Sequence, residues 1–508
     1  MKALRNYMMM LLAAVLAVAC TNNDYQVVIP KNANFVASFN FKNLFEDIDI
    51  PEETTNNLKS LMGMAFSGQD RDNMEEFLDG KTSFGIDFSE PVLAFSAPDC
   101  PLGISMKVDN EDNIDKLIEL LIRQDLCKKV KEKDGFKWTT LLGDFRIAYN
   151  GSSILICGDV NENDMKKLFD NNEENSFVTT PDFERLTKKE SPLSVFLHFA
   201  SMEGQENLPL INELLPEGVK LSDTSLLTDL VMEKGHADIN AEIYSNKENV
   251  QALLEEADKN FQKIHGDFIK APANFLAWFG MGVKGEDLLK KLKSNDEING
   301  MMMMVDRAID LQKIIKTMDG DLAIVMPQMN DAGNPDVVLT AKLKNEDFLK
   351  DVDYWQEQMK DWNIKMVEND KNEFTLFLDE ESQDGIKWGV DDKNVYFTSQ
   401  NTSYKKTFAD TNPLLDEQAE DIKNSILYLC VNLNPVFDSV KDALRQQMGD
   451  MAEVINKIEY PFDKFVVKAN NARSCTLSIS LKDKNKNVIN ALFELYGQVQ
   501  DMALNMMN

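Results

Sequence analysis

The supply of reactive side chains in this sequence is lopsided. Its 508 residues hold 85 acids against 54 Lys and Arg, six cysteines and three histidines. His198, His236 and His265 are scattered, with no H-E-x-x-H and no pair one helical turn apart. Neither a zinc centre nor a histidine-based triad is expected from that pattern. There is no G-x-S-x-G and no G-x-x-x-x-G-K-[ST], so no nucleophile elbow or Walker-type phosphate loop is expected. Paired carboxylates can run glycoside hydrolysis, but with 85 acids their spacing along the chain selects no pair. Trp138, Trp278, Trp355, Trp362 and Trp388 are dispersed, which suits core packing better than sugar stacking. On these grounds no catalytic, cofactor-binding or metal residue is assigned.

Near-matches have simpler explanations. Asp159-x-Asn161-x-Asn163, with Asp170 at the twelfth place, resembles the start of a calcium loop. Asp164 replaces the glycine that loop needs, and the twelfth residue is not Glu. Helix capping accounts for the same residues, and for Gln400-Asn401-Thr402 later in the chain. Ser403-x-x-Lys406 fits S-x-x-K, but its companion motifs are absent and a capped helix start explains it. Met301 to Met304 read as a core stretch inside a helix spanning 299–318, with a second helix over 346–362. Cys157 in ILICG and Cys430 in ILYLC read as small buried hydrophobes. With Cys20 set aside, five cysteines remain, an odd number without metal spacing; a Cys100–Cys127 disulfide is open but unsupported.

The elements that position these residues begin with the head. Met1 to Asn6 is basic, and Tyr7 to Ala19 is an unbroken apolar run closed by Leu16-Ala17-Val18-Ala19-Cys20. This is the layout of a secretory signal, too short for a spanning helix of roughly 20 apolar residues. Ala17-Val18-Ala19-Cys20 resembles a bacterial lipobox, which implies lipidation of Cys20 after cleavage. Each acyl CH2 buried in a bilayer contributes about 0.8 kcal/mol, so several chains anchor firmly. The formal charge of −31 becomes −33 once Lys2 and Arg5 leave with the head. That excludes general affinity for nucleic acid.

Beyond the head the chain repeats itself. Ala33-Asn34-Phe35-Val36-Ala37-Ser38-Phe39 returns as Ala273-Asn274-Phe275-Leu276-Ala277-Trp278-Phe279. NKENVQALLE from Asn246 returns as NKNVINALFE from Asn485, and Lys166-Lys167-Leu168-Phe169 as Lys405-Lys406-Thr407-Phe408. Phe136 is expected to correspond to Phe374. Within each half an alternating strand runs into an Asn- or Asp-rich corner and then a helix, as at Asn110, Asn161, Asn246, Asn345, Asn401 and Asn485. Period-two alternation gives half-buried strands, and Asn or Asp caps the next helix. FRIAY-Asn150-Gly151-SS-ILIC reads as a hairpin with a favoured Asn-Gly corner, and Asp391 to Asn394 forms its counterpart. The expected fold class is therefore α+β: two tandem homologous domains, each a mostly antiparallel sheet with helices on one face. The expected layout is a signal peptide over 1–19, lipidated Cys20 and a tether over 20–28, a first repeat over 29–270 and a second over 271–508.

The lipobox head, the opening Ile29-Pro30-Lys31-Asn32-Ala33 and the two-copy strand–Asn–helix layout resemble a Bacteroidetes-type family of envelope lipoproteins classed as a domain of unknown function. The resemblance implies an outer-membrane lipoprotein, periplasmic or surface-exposed, held to the membrane through lipid on Cys20. The expected role is non-enzymatic binding or scaffolding of a protein or glycan partner in the envelope, without a cofactor. The alternative is an envelope glycan hydrolase using carboxylates. Asp438-Ser439-Val440 also matches a short O-glycosylation motif of such proteins. If Cys20 carries the anchor, Cys20→Ser moves the folded protein from the membrane fraction to the soluble fraction on cell fractionation. Retention in the membrane with the signal cleaved would overturn the assignment.

Overall fold

The computed structural model of the chain describes residues 24–45, 83–133, 135–188, 190–202, 218–259, 261–306, 309–330, 333–360, 364–377, 385–399, 402–448 and 458–507, with a few single positions between them. Cys20 lies outside them. Described residues up to 202, with 220–247 and 484–497, form one compact unit; those between 208 and 219, with 248–483 and 498–507, form the other.

The first unit contains β1 (Phe35–Phe39), β2 (Val92–Ala97), β3 (Cys100–Lys107), β4 (Lys131–Lys133), β5 (Phe136–Leu141), β6 (Phe145–Tyr149), β7 (Ser153–Gly158), β8 (Leu193–His198), β9 (Ser225–Glu233) and β10 (His236–Tyr244). All their pairings are antiparallel, and they lie in the order β4-β5-β6-β7-β3-β2-β1-β8-β9-β10. The second unit contains β11 (Ala277–Lys284), β12 (Met318–Met326), β13 (Val338–Leu343), β14 (Lys365–Asp370), β15 (Glu373–Phe377), β16 (Ile386–Asp391), β17 (Asn394–Thr398), β18 (Leu427–Asn432), β19 (Phe462–Asn471) and β20 (Ser474–Leu481). Their order is β14-β15-β16-β17-β13-β12-β11-β18-β19-β20, again antiparallel throughout. Strand for strand, the two orders are the same. Helices and antiparallel strands in this mixture make the fold α+β.

The helices do not keep to one face. In the first unit Ile147, Tyr149 and Ile154 pack with Ile114 and Ile118 of the Glu111–Arg123 helix. Their neighbours Ala148, Leu155 and Cys157 pack with Met165 and Leu168 of the Glu162–Phe169 helix and with Leu186 of the Pro181–Thr187 helix. Successive strand residues point to opposite faces, so these strands are covered on both sides. The second unit repeats this. Val283, Ala341 and Trp388 join the core that holds Val352, Trp355 and Met359 of the Val352–Lys360 helix. Trp278, Ala323, Val325 and Tyr428 join another with Leu415 and Ile422. Unbroken apolar runs such as SILIC are the mark of a strand buried on both faces, where alternation would mark one. Phe136 and Phe374 do occupy equivalent strands, β5 and β15. Phe136 falls on the face of the Glu162–Phe169 helix, however, and Phe374 on the face of the Val352–Lys360 helix. A change of one position in register moves a side chain to the other face.

The local rules hold in most places. Asn110 Oδ1 accepts from the Asn113 amide, and Asn161 Oδ1 from the amides of Asn163 and Asp164, each capping the helix that follows. Asn345 accepts from the Asp347 amide ahead of a short 3-10 turn over Asp347–Asp351. Asn246 is a different case: its side chain donates to Asp182, and Ser245 Oγ accepts from the Lys247 amide instead. The last helix, Val488–Met507, is capped by Asn487 rather than Asn485. Asn401 lies outside the described residues. The expected helix over 299–318 is two helices, Asp296–Val305 and Leu311–Thr317, the second capped by Asp310. Met302 is buried, but Met301, Met303 and Met304 are exposed, so this stretch is not core.

The Asn-Gly corner lacks the left-handed backbone expected of it, and its counterpart has it. Between β6 and β7 neither Asn150 nor Gly151 has a positive φ. The turn is held by Asn150 Oδ1, which accepts from the amides of Ser152 at 2.9 Å and Ser153 at 3.0 Å. Between β16 and β17 it is Asp392 and Lys393 that adopt φ of 47° and 59°, the left-handed pair of a tight hairpin turn. Lys393 bears the strain that glycine would avoid. Lys393→Gly should therefore stabilise the second unit by about 0.5–1 kcal/mol, read as a rise in the urea midpoint without a change in slope.

Candidate functional site

The described residues bring one group of metal-type side chains together: His265, Asp267 and Asp321, whose nearest ligand atoms all lie within 4.8 Å of one another. Two segments build it. Asp321 lies on β12 opposite Gly282 of β11, within a stretch where the pairing of β12 with β13 shifts register between Met318 and Leu322. Such irregularities re-aim side chains; here Gly320 takes φ of 135° just before the acid. The other segment is the loop at 262–268, which touches β11 through a bridge between Gln262 and Gly282.

What joins the two is a carboxylate in a cradle of amides. Asp321 is 3% exposed. Its oxygens accept from three consecutive backbone N–H groups: His265 at 2.7 Å, Gly266 at 2.6 Å and Asp267 at 2.8 Å. Gly266, at φ of 99°, supplies the left-handed residue that turns those amides to one side. Three of the roughly four lone-pair positions of the carboxylate are then occupied. The imidazole of His265 stands off, with Nδ1 3.9 Å from the carboxylate, and both His265 and Asp267 face solvent. The arrangement holds a loop on a strand, and the side chain best placed to ligate a cation is committed to backbone. From sequence, His265-x-Asp267 was a visible signal; Asp321 was not, because the loop and the irregular strand meet only in the fold.

The other titratable clusters are fastenings as well. Tyr149 and Lys137 both reach Asp115 on the Glu111–Arg123 helix, at 2.9 Å and 2.6 Å, and Lys137 also meets Glu111 at 3.0 Å. Burial pushes the Tyr149 phenol up, and the Asp115 hydrogen bond holds the Lys137 ammonium charged. Tyr244 donates to Asp182 at 2.6 Å, with Arg185 stacked 4.4 Å from its ring centre. Tyr396 donates to Glu373 at 2.9 Å. Burial raises Tyr244 and Tyr396 too, so these phenols remain neutral donors.

The residues singled out from sequence are not gathered into a site. Residues 162–169 form a helix, so Asp159, Asn161 and Asn163 cannot wrap a calcium ion with Asp170, which ends that helix. Ser403 precedes a short helix at Tyr404–Thr407 that carries Lys406. Trp138, Trp278, Trp355 and Trp388 are all buried, and Trp362 lies outside the described residues. Ser439 sits within the Leu433–Met448 helix and donates to Pro435 O at 2.9 Å. Cys157 and Cys430 are buried as expected. His198 ends β8 half-buried, its Nδ1 3.1 Å from both Thr224 O and Ser225 Oγ.

Since the Asp321 carboxylate fastens the loop through hydrogen bonds to a charged group, Asp321→Ala should cost about 2–4 kcal/mol. Urea unfolding in a chelating buffer measures it. An unchanged midpoint there would show that the loop does not depend on the carboxylate.

No curated protein matches the chain. A solved structure titled "Structure of crystal form I of TP0453" is similar over 47% of this chain and 87% of its own, at 12% identity and a TM-score of 0.26. That likeness is too slight to carry an argument. The model of a family described as "Domain of unknown function (DUF4836)" matches residues 25–489. That span takes in both units and nearly all the described residues, and the chain belongs to this family.

Proposed function

We propose that this protein is a lipid-anchored component of a bacterial cell envelope with a non-enzymatic binding or scaffolding role. The observation that carries the reading is repetition of frame without repetition of chemistry. Both units share one order of ten described strands, yet the His265, Asp267 and Asp321 group belongs to the second unit alone among the described residues. The Tyr–acid fastenings also differ between units: Asp115 and Asp182 lie on helices, whereas Glu373 lies on a strand. A duplicated catalytic site would be expected to repeat its polar groups; a duplicated support need only repeat its packing.

The shared strand order also supports a tandem duplication, with repeats over 29–270 and 271–508 behind a tether at 20–28. Attachment through Cys20, residence at the outer membrane on the periplasmic or outer side, and a protein or glycan partner complete the proposal. For the alternative, a glycan hydrolase, the chemistry demands a carboxyl held protonated near neutral pH. Glu162, Asp164, Asp223 and Asp347, each displaced downward chiefly by a hydrogen-bonded lysine, do not fit that acid.

The lipid-free chain, immobilised and exposed to envelope extract and to a glycan array, should retain one envelope protein or one glycan class saturably, without releasing reducing ends. Release of reducing ends from envelope glycan would overturn the reading in favour of hydrolysis. Retention of nothing across both screens would also overturn it.

A further inference from the structure

Two cysteines of the first unit occupy one place. Cys100 opens β3, and Cys157 lies on β7, its hydrogen-bonded neighbour, where it faces Gly103. Between Cys100 and Gly103 the pairing of β3 with β2 slips register, so that Cys100 and Gly103 are both buried while Pro101 and Leu102 face out. The slip turns Cys100 towards the side of the sheet that Cys157 occupies. Both are 0% exposed, both belong to the same apolar core, and each thiol acts on the ionisation of the other, drawing Cys100 down and pushing Cys157 up. Cys127 is excluded as a partner: it packs with Ile114, Ile147 and Tyr149 on the opposite face of these strands. Cys430 and Cys475 belong to the second unit.

We infer that Cys100 and Cys157 are a built disulfide site, closed by thiol–disulfide exchange with an external disulfide. Neither this step nor its test rests on the binding role proposed above. The thiolate of one cysteine attacks the external disulfide, forming a mixed disulfide and expelling one thiolate. The second cysteine then attacks the bonded protein sulfur, forming the Cys100–Cys157 bond and expelling the other thiolate. The two protons lost by the cysteines pass to the two leaving thiolates, and the external disulfide is reduced by two electrons. Two sulfurs in one core, on the same side of hydrogen-bonded strands, have to close to the roughly 2.05 Å of a disulfide. The neighbouring Cys100 thiol, with burial adding to it, pushes the Cys157 thiol up, and both cysteines are shut off from solvent once the core has closed. Exchange therefore belongs to folding, while β3 and β7 are still open to solvent. The bond would then join two adjacent strands across a long excursion of chain, where a cross-link restricts the unfolded state most.

The test uses the full chain carrying Cys20→Ser, reduced, unfolded, and refolded in a buffer of oxidised and reduced glutathione. It is then alkylated in denaturant without reductant. Peptide mass spectrometry should find Cys100 joined to Cys157, two hydrogens lighter than the paired thiol peptides, with Cys127, Cys430 and Cys475 alkylated. Alkylation of all five thiols, or a bond between any other pair, overturns the inference. A Cys157→Ala variant, added to the same background, should free Cys100 for alkylation. Reductant should lower the melting midpoint of the Cys20→Ser chain by on the order of 5–10 °C and leave that of the Cys157→Ala variant unchanged. A midpoint insensitive to reductant in both counts against the bond.

Discussion

Each unit depends on a run of antiparallel strands kept dry on both faces. Ala148 and Leu155 face one helix set, and Ile147, Tyr149 and Ile154 face the other. Burying a large apolar side chain contributes about 1.5–3 kcal/mol, and here one strand supplies two cores. The arrangement constrains everything around it. Helices must be present on both sides to cover the strands, and each must enter at a fixed angle. That is why so many polar residues are occupied as caps and fastenings. Asn110 and Asn161 begin helices on opposite faces of the same strands.

The polar chemistry follows from that demand. Asp115 ties its helix to β5 and β6 through Lys137 and Tyr149. Asp182 ties another helix to β10 through Tyr244. Asp321 ties a loop to β12 through three amides. In each case a carboxylate at the edge of a core meets the hydrogen-bonding needs of segments that would otherwise bury them unmet. A protein with a large excess of acids over bases has many such groups to spend. The same excess hides from a reader of the sequence which few of them are committed.

Features that depend on neighbours in the chain were legible. Caps at Asn110, Asn161 and Asn345 follow from their place before an amphipathic run, and β6 with β7 follows from apolar segments around a polar corner. Four of the five tryptophans are buried, as their dispersion suggested. Features that depend on contacts across the fold were not legible. Asn246 has the surroundings of a cap but is taken by Asp182. Met301, Met303 and Met304 look like core by composition, yet the helix ends at Val305 and shows three of its four methionines to solvent. The Asn-Gly corner lacks the backbone its residues favour, because the Asn150 side chain supplies the turn.

From residue order alone follow the α+β class, the antiparallel hairpins, the doubled layout of short motifs and the scarcity of catalytic histidine, because period, capping and composition act over a few residues. Tertiary structure decided which face each apolar residue covers, that helices pack on both sides, that Asp321 closes on the loop at 265–267, and that Cys100 meets Cys157 rather than Cys127. These outcomes turn on single shifts of strand register, and one position of slip sends a side chain to the other face. No local pattern encodes that choice; it is set by how the whole set of strands packs at once.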